Sequence, residues 1–262
     1  MPLPFLYYPM LSDLHLWLPE ILACAAVMLL SGIVKGILGV GLPIVALPLL
    51  MLIVDVPTAV ALLMIPLIAS NFIQAVEGKG TIAIIMRFWK LLVALAIGTI
   101  FGTYLFAVID RHVLLLIIGT FAIVATTASF LRPDVTVAPS LQRWLNIPVG
   151  FISGIIGGMS TLFGPILSVY VAGMGLGRDM FVKVISIFYT AASIALLVGG
   201  TSQGTAHGTE LGLSVLTMIP VYGGMRIGQT VRRRINPVLF HKLVIGVVWF
   251  TGANLIRSGL GY

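Results

Sequence analysis

Residues 31–50 read SGIVKGILGVGLPIVALPLL, and residues 150–173 read GFISGIIGGMSTLFGPILSVYVAG. Each is an apolar run interrupted near its middle by glycine and proline, GILGVGLP at 36–43 and GIIGGMSTLFGP at 154–165. Glycine lets the backbone leave the helical region, and proline withdraws an amide donor, so a helix that meets such a cluster ends or bends. The flanking pieces 44–54, 148–157 and 166–174 are shorter than the roughly 20 residues a spanning helix needs. Short tilted helices and half-helices that turn back both fit this pattern. Either way the chain leaves on the side it entered.

Around these breaks lie segments long enough to cross a bilayer, at 56–76, 85–109, 112–131, 181–200, 209–231 and 238–260. Of 262 residues 59% are hydrophobic and only 9% charged, against roughly 25% charged in a soluble domain. A soluble fold could not hide that much apolar surface, whereas a lipid-facing exterior has no need to. The formal net charge of +7 does not point to nucleic acid, because the basic residues are scattered through short connections. The single cysteine, Cys24, sits in an apolar run, so it forms no intrachain disulfide and is read as a packing residue. The amino end, MPLPFLYYPMLSDLHLWLPE, lacks a basic start, so no cleavable signal is expected there.

The two interrupted regions resemble each other. Gly36-Ile-Leu-Gly39 matches Gly154-Ile-Ile-Gly157 at an offset of 118, and Gly98-x-x-x-Gly102 matches Gly224-x-x-x-Gly228 at 126. Each half then runs an interrupted pair followed by three long helices. The expected fold is an all-α polytopic membrane protein with two inverted repeats. An extracytoplasmic segment at 1–17 precedes the first repeat at 18–131, and a cytoplasmic linker at 132–144 leads to the second repeat at 145–262. Counting crossings places Lys79, Arg87, Lys90, Arg132, Arg143, Arg178, Lys183, Arg232, Arg233, Arg234 and Lys242 on one side, and Arg111 and Arg257 on the other. The rich side is cytoplasmic by the positive-inside rule, which puts both termini outside the cytoplasm of a plasma (inner) membrane protein.

Broken helices mark transport sites because half-helix amino ends expose unpaired N–H groups and a positive dipole end, suited to anions. The candidate lining is Gly36, Gly39, Gly41 and Pro43 from one half and Gly157, Gly158, Ser160, Thr161 and Pro165 from the other. The competing reading is that these glycines only let helices pack closely. Lys35, beside the first break, is either functional or a side chain reaching to the interface. Arg226 lies about two helical turns deeper than the cluster at 232–234. Asn71 and Gln74 share a helix face at i, i+3. At an offset of 119 they meet Thr190 and Ser193, with Tyr189 adjacent. All of these can hydrogen-bond an oxyanion, or act as interhelical contacts.

The eight acids fall at helix ends or in loops. That speaks against a cation path lined by carboxylates and against a metal site. No HExxH pair, Walker element, Gly-x-Ser-x-Gly or GxGxxG signature occurs. No cofactor is expected, and a membrane-embedded enzyme would need a nucleophile and base at one depth that the sequence does not offer. The reading is a secondary transporter for a small anion bound near the midplane between the breaks. A carrier of a neutral solute or a cation is the alternative. The expected partners are the anion, the lipid bilayer, a coupling ion (proton or sodium) and a second copy in a homodimer, with no nucleic acid.

The stretches 31–50 and 150–173, together with GMRIGQTVRRRINPVLFHKLVIGVVWFTG at 224–252, resemble the sulfite exporter TauE/SafE family of bacterial membrane proteins across nearly the whole chain. The resemblance implies transport of small oxyanions or organic anions, with sulfite, sulfonates and related sulfur compounds as typical substrates. It carries no set of site residues onto this sequence.

Overall fold

The structure, a computed structural model, describes residues 14–131, 137–203, 208–231 and 237–261. The arginine cluster at 232–234, most of the expected segment 1–17 and residues 132–136 of the expected linker lie outside the described residues.

Within them every regular element is a helix. The first half contains α1 (Leu14–Leu38), α2 (Leu42–Leu50), α3 (Val56–Val76), α4 (Thr81–Val108) and α5 (Arg111–Leu131). The second contains α6 (Pro139–Ser160), α7 (Gly164–Ala172), α8 (Arg178–Ser202), α9 (Gly208–Val231) and α10 (Pro237–Gly259). Five stretches, Leu18–Leu38, Val56–Val76, Thr81–Val108, Asp179–Ser202 and Gly208–Val231, are long and apolar enough to cross a membrane. Their outer faces carry large exposed apolar side chains such as Ile82, Ile219 and Trp89, as lipid contact requires.

The breaks at 39–41 and 161–163 each separate a long helix from one of nine residues. Nine residues rise about 14 Å, less than half of a hydrocarbon core about 30 Å thick. In the second half the short helix folds back on the long one. Val137 N–H donates to the Gly173 carbonyl at 2.6 Å, and the Tyr170 hydroxyl donates to Asn146 Oδ1 at 2.7 Å. The carboxyl end of α7 thus returns to the level where α6 begins. Of the two arrangements the sequence left open, this is the one that turns back.

Glycines make the principal seams. A Cβ at Gly98, Gly102, Gly150, Gly154 or Gly158 would lie 2.3–2.5 Å from a carbonyl oxygen of the facing helix in the α4–α6 pair. Gly32, Gly36, Gly224 and Gly228 make the same approach between α1 and α9. Both pairs run parallel: Leu91 meets Gly150 while Ile155 meets Gly102, and Leu29 meets Gly224 while Ile33 meets Gly228. By contrast α3 and α8 run antiparallel, with Gln74 against Ser186 and Glu77 against Lys183. So do α5 and α10, where Gly119 meets Gly252 and His112 meets Gly259.

The starts of the two short helices give a second offset beside the 118 read from sequence. α2 and α7 begin at 42 and 164, an offset of 122. At that offset Gly32 and Gly36 pair with Gly154 and Gly158, and all four occupy the same kind of seam.

Pro66 interrupts α3. Without its N–H, the Leu62 carbonyl loses the usual i→i−4 donor. The Ser214 and Thr217 hydroxyls of α9 both donate to it at 3.0 Å, and Ser214 Oγ in turn accepts from Ile65 N–H at 3.1 Å. A proline inside a membrane-crossing helix is tolerated when a neighbouring helix supplies such partners.

Candidate substrate site

Lys35 ends the last full turn of α1 and is only 1% exposed. Its Nζ donates to Asn71 Oδ1 on α3. Asn71 is held for this by its own Nδ2, which donates to the Leu67 carbonyl at 2.8 Å. Among the described residues no carboxylate pairs with Lys35, and its bond to Asn71 Oδ1 leaves further donor capacity on Nζ. Immediately beyond, Gly39 and Gly41 adopt left-handed backbone (φ +85 and +99), and α2 begins with Pro43 in its first turn. A Cβ at Gly39 would press on Val182 of α8 at 2.8 Å, whereas nothing lies within 4 Å of one at Gly41. Open space therefore adjoins the start of α2.

The second break is filled differently. Thr161 takes the left-handed conformation (φ 59) that glycine takes in the first half. It is fully buried, and its Oγ1 has no hydrogen-bond partner. Ser160 Oγ donates to the Ile156 carbonyl at 2.7 Å and accepts from Leu162 N–H at 3.2 Å, closing α6. The Phe163 ring lies across Gly157, where a Cβ would come within 1.8 Å of Cδ1. Under the 122 register Phe163 corresponds to Gly41. In the second half a ring from Phe163 covers a bare Gly157, whereas in the first half the space beside Gly41 is open and the Lys35 side chain turns to Asn71.

The two breaks adjoin one another. A Cβ at Gly164, the first residue of α7, would lie 3.7 Å from Ile44 Cδ1 of α2 and 2.8 Å from the Tyr189 hydroxyl of α8. Tyr189 is buried, its hydroxyl is 3.5 Å from Ser168 Oγ, and its ring tilts against Phe163 at 6.3 Å between centroids. Between α3 and α8, Ser186 Oγ donates to Gln74 Oε1 at 3.1 Å. Thr190 Oγ1 donates to the Ser186 carbonyl and Ser193 Oγ to that of Tyr189, so both hydroxyls are held by their own helix.

The sequence-derived candidates thus separate into groups. Lys35 and Asn71 are joined directly. Gly39, Gly41, Gly157, Ser160, Thr161 and Tyr189 surround the two breaks, and Gln74 and Thr190 lie on the α3–α8 contact. Gly36 and Gly158 are taken up in the helix seams, where their missing side chains admit the backbones of α9 and α4. Arg226 is exposed, its guanidinium donating to Tyr222 Oη from Nε at 2.9 Å and from Nη2 at 2.6 Å, one turn away on the same helix. Three residues that sequence reasoning passed over belong to the ensemble: Phe163, Ser168 and Ser186. Phe163 was legible as the one aromatic inside a glycine-rich break. Ser168 and Ser186 carried no signal that sets them apart from other serines in apolar helices.

Apolar helices long enough to cross the bilayer define a multi-pass membrane protein. A model of the family described as sulfite exporter TauE/SafE matches residues 24–255. The chain belongs to this family. No curated protein and no solved structure matches it.

Proposed function

We propose that this transporter is a secondary carrier of a small anion, such as sulfite, an organosulfonate or a related oxyanion or carboxylate, bound where the two breaks adjoin. Buried Lys35, with an amide oxygen as its partner among the described residues, is the observation that carries this reading. Taking an unpaired charge out of water costs several kcal/mol, on the order of what a missing counter-ion must offset. A bound anion supplies that counter-ion. Its oxygens accept from the further donor capacity of Nζ and from the free amides at the start of α2, where Gly41 leaves room. The orphan Thr161 hydroxyl is a further donor.

The halves are read as inverted repeats, supported by the antiparallel α3–α8 and α5–α10 pairs and by the register of 122 that relates their breaks. The termini are placed outside the cytoplasm of a plasma membrane, and the coupling ion is a proton or sodium. Purified protein is tested by thermal shift against sulfite, a short alkyl sulfonate, acetate and sodium. A ligand bound only by the folded state raises the apparent midpoint by mass action. The oxyanions are expected to do so for wild type and not for Lys35→Met. Replacing a charge-assisted hydrogen bond, worth about 1.5–3 kcal/mol, predicts about 10- to 150-fold weaker binding. Equal midpoint shifts in both proteins refute the site, and stabilisation by cations alone refutes the anion.

A further inference from the structure

A second place in the molecule gathers positive charge with no carboxylate beside it among the described residues. A cavity of about 390 Å³ opens between the amino-terminal turns of α4 and α6. Arg87, Lys90 and Arg143 line it, and among the described residues no carboxylate does. Its inner wall is polar and fixed. Gln142 and Asn146 are 7% and 8% exposed. Arg87 Nη2 donates to Gln142 Oε1 at 2.9 Å, Gln142 Nε2 donates to the Val137 carbonyl at 3.2 Å, and the Tyr170 hydroxyl donates to Asn146 Oδ1. At Phe88 the backbone leaves helical geometry (φ −108, ψ 18), which bends α4 beside the cavity. The Arg87 guanidinium lies over the Phe88 ring at 5.1 Å and Lys90 Nζ over that of Trp89 at 5.8 Å, so both cations are positioned by aromatic faces.

Two observations say what this cavity takes. Trp89 and Trp144 on these turns are 53% and 79% exposed, as tryptophans are at the boundary between headgroups and acyl chains. The cavity therefore opens at the lipid interface. The second observation is the matching seam of the other half. At the offsets that relate the seams, 122 for α6 with α1 and 126 for α4 with α9, Gln142 and Arg143 become Glu20 and Ile21, and Arg87 and Lys90 become Leu213 and Leu216. The glycine packing is the same at both ends, so the seam does not need these cations. Basic pockets between helices at an interface suit phosphate headgroups, which present oxygens to Arg and Lys. The cavity also lies well away from the breaks: Asn146 and Ser160 are fourteen residues apart on α6, about 21 Å.

We propose that the cavity between α4 and α6 is a binding site for the phosphate headgroup of an anionic phospholipid, held by Arg87, Lys90 and Arg143. The test titrates full-length protein in neutral detergent with short-chain phosphatidylglycerol, short-chain phosphatidylcholine and inorganic phosphate, and reads the unfolding midpoint. Phosphatidylglycerol is expected to give a saturable rise in wild type. The apparent affinity is expected to fall about fivefold for each cation neutralised in Arg87→Gln, Lys90→Gln and Arg143→Gln. Arg111→Gln, an exposed arginine elsewhere, should leave it unchanged. Lys90→Gln disturbs no hydrogen bond among the described residues, so it keeps the test decisive should Arg87→Gln fold poorly. Equal response to phosphatidylcholine, equal loss in Arg111→Gln, or saturation by inorganic phosphate at the same sites without any preference for the lipid would each overturn the proposal.

Discussion

Substituting Gly158 by alanine tests whether the α4–α6 seam is set by backbone contact. A Cβ there would sit 2.3 Å from the Thr99 carbonyl oxygen and 2.9 Å from Gly102 Cα. Both are main-chain atoms, which cannot swing aside as a side chain would. Ordinary contact begins at 3.4 Å, so the helices must separate by about 1.1 Å at this point. Four neighbouring glycines, Gly98, Gly102, Gly150 and Gly154, are packed just as closely along the same seam, and a local separation loosens them too. Overpacking of this kind costs about 1–3 kcal/mol. At roughly 2–4 °C per kcal/mol for a chain of this size, the midpoint falls by several degrees. The assay is thermal unfolding of purified protein in one detergent. Gly212→Ala is the control, because nothing lies within 4 Å of a Cβ at that helical position. Alanine there removes only glycine's helix penalty and stabilises by about 0.5–1 kcal/mol. If Gly158→Ala proves as stable as wild type, or shifts in the same direction as Gly212→Ala, backbone contact does not set the seam.

The Ser214→Ala, Thr217→Val double variant removes both donors from the Leu62 carbonyl and is expected to lose about 1–3 kcal/mol. Adding Pro66→Ala restores an amide donor within α3 and should recover much of that loss; a triple variant less stable than the double would contradict the role given to Pro66. Lys183 Nζ donates to the Glu77 carbonyl at the end of α3 at 2.7 Å, so Lys183→Met is expected to raise hydrogen exchange in the loop at 77–80 while leaving α9 unchanged. Uniform protection in that loop would show that the contact holds nothing in place.

Much of this fold was legible in the sequence, because lipid imposes a length and an apolar composition that few other environments demand. The helix expected at 56–76 is present with those bounds, and both breaks fall within the glycine- and proline-rich stretches that announced them. The helix expected from 85 begins at Thr81, directly after Gly80, whose left-handed backbone (φ 93) sets its start. The site was legible only in part. Lys35 stood out because a charge in an apolar run is costly, yet its partner Asn71 lies 36 residues away and only packing brings them together. Gly36 and Gly41 look alike in sequence, but one admits a neighbouring helix and the other adjoins open space. A glycine's letter records a missing side chain and not what takes its place.

The glycine seams tie the first helix of each half to the fourth helix of the other. Neither half thus owns a complete set of its own neighbours: the chain is interlaced, like two hands with fingers crossed. Rocking one half against the other would tear both of these close seams at once, whereas a unit drawn from both halves keeps α1 beside α9 and α4 beside α6.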